Sequence, residues 1–159
     1  MALDPSAQCR FLMATYARLL ADLDDSHRVI EPQAGSKTAG WIVGHLCVTG
    51  DFARRLSGQK AICPTEWRAK FNPGTQPSTN PADYPPMREM VEKFKAVYAD
   101  LASSYASASA ETLGAQNPFE PGRAAFPTSG DFAAYLMTGH LGYHLGQLYG
   151  WRAAARVPR

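Results

Sequence analysis

Apolar residues return at three- and four-residue steps in four separate segments of this 159-residue chain, and no stretch alternates apolar and polar residues as a half-buried strand would. That pattern predicts an all-α fold. Asp4-Pro5 offers an N-cap followed by proline at the first helical position, and Phe11, Leu12, Tyr16, Leu19, Leu20 and Leu23 trace a core-facing stripe to about Asp25. A second helix is predicted from near Ser36 or Lys37 to Leu56, with Gly58 as its stop. The third opens at Pro85-Pro86, carries Met90, Val91, Phe94, Val97, Tyr98, Leu101 and Tyr105 on one face, and fades between Ser103 and Ala110. The fourth, capped by Thr128, Ser129 or Asp131, runs as one helix past Trp151 and ends in Arg152, Arg156 and Arg159, where the macrodipole favours positive charge. Four amphipathic helices without strands predict an antiparallel-type helix bundle.

Two irregular stretches interrupt the pattern. Residues 57–86 carry Gly58, Pro64, Pro73, Gly74, Pro77, Pro81, Pro85 and Pro86, and a connector this long inside a compact domain is usually a lid, a crossover or a binding loop. Trp67, Phe71 and Tyr84 give it enough apolar area to pack down. Gly114 to Gly130 is the second such stretch. The length and the 45% hydrophobic content fit a single domain spanning residues 1–159.

Charge and cysteine usage exclude several classes. A net charge of +2, with no basic stripe interleaved with aromatics, disfavours a nucleic-acid partner. The three cysteines, Cys9, Cys47 and Cys63, are widely spaced and form no CxxC pair, as expected of reduced thiols in a cytoplasmic protein. No apolar run approaches the ~18–20 residues of a membrane span, and the first residues lack the layout of a signal peptide.

Histidines carry the functional signal. His140 and His144 lie one helical turn apart, on the face that also gathers Phe132, Ala133, Leu136, Met137, Tyr143, Gln147, Leu148 and Trp151. On the second helix His45 shares its face with Thr38, Trp41, Ile42, Val48, Thr49, Phe52 and Leu56. Cys47 is turned about 200° from His45 and cannot join it in one site. Buried imidazoles need partners for their ring nitrogens, and one ion would serve all three. At 1.5 Å per residue, His45 lies ~10 Å into its helix and the pair ~15–20 Å into theirs, so all three reach one layer of a ~30 Å bundle. His27, the remaining one of the four histidines, sits in the loop Asp25-Ser26-His27-Arg28 off any apolar period and is read as a surface residue.

Trp41-x-x-x-His45-Leu46 on the second helix and His140-x-x-x-His144-x-x-Gln147 on the fourth resemble the DinB/YfiT-like superfamily of metal-dependent proteins. The likeness covers essentially the whole chain. It implies that His45, His140 and His144 are ligands of a divalent metal. It also implies an up-down-down-up four-helix bundle in which residues 57–86 cross between two parallel helices, the second and the third. Characterised members include thiol-dependent S-transferases and isomerases that use low-molecular-weight thiols, so membership alone does not name the reaction.

The donor set narrows the chemistry. Three imidazoles leave coordination positions open, as a catalytic ion needs, and such an ion lowers the pKa of a water or thiol. Leu141 stands where a zinc protease HExxH would place glutamate, and the Glu-x-x-His pairs of di-iron bundles are absent. One ion is expected, Zn or Ni before Fe or Mn. The catalytic base is unassigned. Thr49 and Gln147 are candidates to support the ligands, and Trp41, Phe52, Tyr143 and Trp151 are read as core before pocket wall. Two functions remain open: a metal-dependent enzyme transferring a thiol to, or hydrolysing, a small electrophilic substrate, and a non-catalytic binding or stress-response protein whose metal ties two helices together.

Glycines mark the fourth helix. Gly139, Gly142, Gly146 and Gly150 fall within about 80° of one another beside the histidine face. Each costs roughly 0.8–1 kcal/mol relative to alanine, which close approach of another helix would offset. Leu145 and Tyr149 are expected to project away from the histidines and to cover a partner subunit, giving a homodimer.

Overall fold

The computed structural model describes residues 4–158, so Arg159 lies outside the described residues. Among the described residues seven α-helices follow one another: α1 (Pro5–Leu19), α2 (Ala39–Leu56), α3 (Trp67–Phe71), α4 (Met87–Ser107), α5 (Ala110–Gly114), α6 (Ser129–Met137) and α7 (Gly139–Ala154). Short 3-10 turns lie at Pro81–Asp83 and Glu120–Gly122. The described residues form no strand, only an isolated bridge between Gln116 and Thr128. No helix among them is long and apolar enough to cross a membrane.

The caps explain where the helices start. Asp4 accepts from the amide of Ser6 at 2.8 Å, with Pro5 at the first helical position. Thr38, rather than Ser36 or Lys37, caps α2 through the Trp41 amide at 3.1 Å. Thr128 and Asp131 form a reciprocal capping box at α6.

Two helices depart from the periodicity. α1 ends at Leu19 rather than near Asp25; Leu20 and Leu23 are still buried, but on a turn, where Asp24 accepts from Ser26 and draws the chain away from helix. Phe11, assigned to the core stripe, is 69% exposed. The fourth predicted helix is two. The Thr138 hydroxyl donates to the Ala134 carbonyl at 2.6 Å, occupying the acceptor that its own amide would use in a continuous helix, and that amide turns to Tyr135 at 3.2 Å. Thr138 leaves helical geometry (φ −127°, ψ −82°), and α7 restarts at Gly139.

α2 is the organising element, packing against α3, α4, α6 and α7, while α1 packs against α4, α6 and α7. Only Phe52 and Arg55 of α2 escape burial. Close approach occurs here: a Cβ at Gly44 would lie 2.6 Å from the Phe71 ring, and one at Gly50 2.7 Å from Val97, while of the four α7 glycines only Gly139 is crowded, its Cβ position lying 3.2 Å from the Tyr135 ring. Gly142, Gly146 and Gly150 have nothing within 4 Å of that position, so no element of the described chain fills the predicted groove. Leu145 packs partly buried against the core, contrary to its predicted outward direction.

Residues 57–86 pack down as expected, with Trp67, Phe71 and Tyr84 buried. Asp51 anchors the start of this connector: its carboxylate accepts from the Ile62 amide at 2.9 Å and from the buried Arg54 guanidinium at 2.9 Å. Arg54 also donates to Asp100 on α4 at 2.6 Å and to the Lys60 carbonyl at 2.8 Å. At the other end of the chain, Arg152 is buried and pairs with Asp22 and the Leu19 carbonyl. It does more there than complement a helix dipole.

Candidate metal centre

α2 and α7 bring His45, His140 and His144 together, with one ring nitrogen of each within 4.8 Å of the others. Among the described residues the group consists of these three histidines alone. His27 stands apart, paired with Asp24 in its turn. Cys47 is also elsewhere, its thiol donating to the Met90 carbonyl at 3.3 Å.

Hydrogen bonds to the outer ring nitrogens set two of the tautomers. His45 Nδ1 is 2.7 Å from the Phe71 carbonyl oxygen, which only accepts, so Nδ1 carries the proton and Nε2 presents a lone pair. His144 Nδ1 lies 2.8 Å from Gln147 Oε1, with the same consequence. Gln147 is in turn oriented by donating to the Tyr143 hydroxyl at 3.2 Å. Both lone pairs point at His140 Nε2, each from 3.2 Å.

Without a cation this arrangement is poorly satisfied. A proton on His140 Nε2 can serve only one of the two lone pairs, and it leaves the buried Nδ1 of His140, which has no partner, as an unpaired acceptor. With the proton on Nδ1, three lone pairs face one another. A cation resolves that conflict, and a tetrahedral ion with bonds of about 2.0–2.1 Å to imidazole would set its ligand nitrogens about 3.3 Å apart, close to the two spacings observed. The residues present therefore fit a divalent metal.

Burial favours the neutral form of all three rings. It lowers the pKa of His45 to about 4, with the charges of His144 and Lys37 adding to the effect against the Phe71 bond. Burial and then the neighbouring imidazoles lower His140 to about 3. His144 is lowered by burial as well, partly offset by Gln147. Trp41 stacks on the His45 ring at 4.6 Å and 10°, and its indole donates to Thr75 at 3.0 Å.

A cavity of about 680 Å³ opens from His45 and His140. Phe52, Phe119, Phe126, Phe132 and Tyr135 supply much of its apolar wall, and Arg55 and Arg68 also line it. Phe119 stacks on Phe132 at 5.3 Å and 3°, and Phe126 on Tyr135 at 4.5 Å. Asn117, fully buried, shapes this loop by donating to the Phe126 carbonyl at 3.0 Å and accepting from the Phe119 amide at 2.9 Å.

Sequence candidates divide accordingly. Gln147 holds His144, whereas the Thr49 hydroxyl donates to the His45 carbonyl at 2.8 Å and does not reach the ring. Phe52 lines the cavity; Trp41 and Trp151 are buried, and Tyr143 is 63% exposed rather than inward. The Phe71 carbonyl had no signature, because backbone groups carry none. The aromatic wall from Phe119 to Tyr135 could have been sought in the concentration of phenylalanines around the second irregular stretch, although no period marks it.

The chain is thus a helical protein with three imidazoles converging between two helices and a largely apolar cavity against two of them. The sequence profile of the DinB superfamily matches residues 9–148, and the chain belongs to that family. No curated protein and no solved structure matches the chain.

Proposed function

We propose that this protein is a metal-dependent enzyme in which His45, His140 and His144 hold one divalent ion, Zn or Ni before Fe or Mn, for thiol transfer to, or hydrolysis of, a small electrophilic substrate. The observation that carries the reading is the pair of Nε2 lone pairs, fixed by Phe71 and Gln147 and directed at His140 beside an open cavity. The ion supplies Lewis acidity, lowering the pKa of a water or of a low-molecular-weight thiol. The chain's own groups do the rest. Phe71 and Gln147 keep the ligand rings in their binding tautomer, Trp41 braces His45 by stacking, and the aromatic wall excludes water from the substrate's apolar part. A metal serving only to tie α2 to α7 has less support, because no cysteine, aspartate, glutamate or further histidine joins the three-histidine group among the described residues, and the group adjoins a cavity.

The reading extends to the architecture. We place α1, α2, α4 and the α6–α7 pair in an up-down-down-up bundle, with residues 57–86 as the crossover, as one domain in the cytoplasm. We also propose a homodimer through the outer face of α7, where Tyr143 and Tyr149 flank the open glycines and supply both projection and recess to a two-fold contact.

Elemental analysis of untagged protein, followed by a screen of thiols against electrophiles, tests the function. His45→Ala, His140→Ala and His144→Ala should each lower metal content about tenfold or more, while His27→Ala leaves it unchanged. Stoichiometric metal in the triple variant would rule out the assignment.

A further inference from the structure

Two arginines border the cavity without a role in holding the metal. Arg54, Arg28, Arg88 and Arg152 all pair with carboxylates. Arg55 and Arg68 form no ion pair with any carboxylate among the described residues, yet both line the cavity. Asp51, whose charge reaches Arg55, is already engaged by Arg54 and the Ile62 amide.

Arg55 is an exposed residue whose guanidinium lies over the cavity wall. Side chains on a helix lean toward its N-terminus, and the Arg55 guanidinium carbon lies 4.9 Å from the centre of the Phe52 ring, one turn closer to His45. Partial burial, and then the charge of Arg68, lower the pKa of Arg55, so two like charges act on each other at the cavity. Two planar forks at one apolar cavity, neither paired with a carboxylate and one lying over Phe52, match an oxyanion head on an apolar body.

We propose that the cavity binds a small organic carboxylate, its head held between Arg55 and Arg68 and its apolar body lying on Phe52, Phe119 and Phe132. Arg55 is ten residues beyond His45 on α2, about 15 Å along the axis, and its backward lean leaves on the order of 10 Å for the ligand between the head group and the histidines. The substrate of the metal-site reaction is then an apolar electrophile with a carboxylate at its far end. Its identity as substrate rests on the proposed metal chemistry; the anion site does not.

Calorimetric titration of chelator-treated, metal-free protein with 4-phenylbutyrate and its neutral counterpart 4-phenylbutanamide separates the two. The acid should bind about tenfold or more tightly than the amide, since charge-assisted bonds to two forks are lost in the amide. That preference should nearly vanish in the Arg55→Gln/Arg68→Gln variant and survive in part in Arg55→Lys/Arg68→Lys, with metal content unchanged in both. Equal affinity for acid and amide, an acid that does not saturate the protein, or full preference retained in the glutamine variant would overturn the anion site. Acid preference that depends on the arginines, in a protein that never takes up metal, would leave this site standing and remove the metal reading instead.

Discussion

Protonation of His45 and His140 sets the pH response of the metal-free chain. Their folded pKa values, about 4 and about 3, lie below the 6.5 of a free imidazole because burial disfavours the charged ring. The unfolded chain therefore binds protons first. Each histidine contributes stability that is fully present above pH 6.5 and is lost as pH falls toward its folded value, up to about 2 kcal/mol per residue between pH 6.5 and 5. Melting temperatures of chelated wild-type protein should fall more steeply from pH 7 to 5 than those of the triple alanine variant. Parallel curves would mean that the imidazoles are not held neutral by burial. The same depression lets the folded site resist proton competition below the pH at which free histidine titrates, so metal should be released from intact protein only on further acidification. Two of the nitrogens behind this behaviour are positioned by groups of different visibility in the sequence. Gln147 is three residues from His144 and stands out on the helical wheel, whereas the Phe71 carbonyl depends on how residues 57–86 fold back over α2.

α2 carries both one histidine of the site and the anchor of the connector. Asp51 is buried and accepts from Arg54 and from the Ile62 amide, while Arg54 also donates to Asp100, so the Asp51–Arg54 pair couples α2, α4 and the start of the connector. Asp51→Ala leaves a buried guanidinium with half of its charge compensation, and removing one partner of such a pair costs about 3–5 kcal/mol. Urea unfolding should show that loss; less than about 1 kcal/mol would mean that Asp100 and the Lys60 carbonyl alone satisfy Arg54. Helical periodicity made the main segments legible, and the inward direction of His45, His140 and His144 with them, because apolar spacing reports which face is buried. It could not report the break at Thr138. There a side-chain hydroxyl competes for a helical acceptor, and the apolar pattern continues on both sides, through Leu136 and Met137 into Leu141 and His144. The cavity wall was illegible for a related reason: Phe119 and Phe126 are placed by Asn117 and the turn at Glu120–Gly122, with no period to read.

The proposed homodimer turns on the outer face of α7 and its glycines. The glycines there are not explained by close packing among the described residues, since a Cβ at Gly142, Gly146 or Gly150 would meet nothing within 4 Å. In an isolated subunit each is then a helix-propensity cost of roughly 0.8–1 kcal/mol relative to alanine, without compensation. A second copy lying across these positions would supply it through close contact, with Tyr143, 63% exposed, entering the recess of its partner. Gly146→Leu separates the two situations because its effect has opposite signs in them. Leucine raises the stability of a lone subunit by several tenths of a kcal/mol, but it fills the recess in a dimer and drives the copies apart. Light scattering of the wild-type protein across a hundredfold concentration range should therefore show a dimer, with dissociation shifted about tenfold or more in Gly146→Leu and metal content unchanged, because the substitution lies on the outer face. If both proteins are monomers and the variant melts at a higher temperature, the homodimer through α7 is wrong and the glycines are a propensity cost that the fold tolerates.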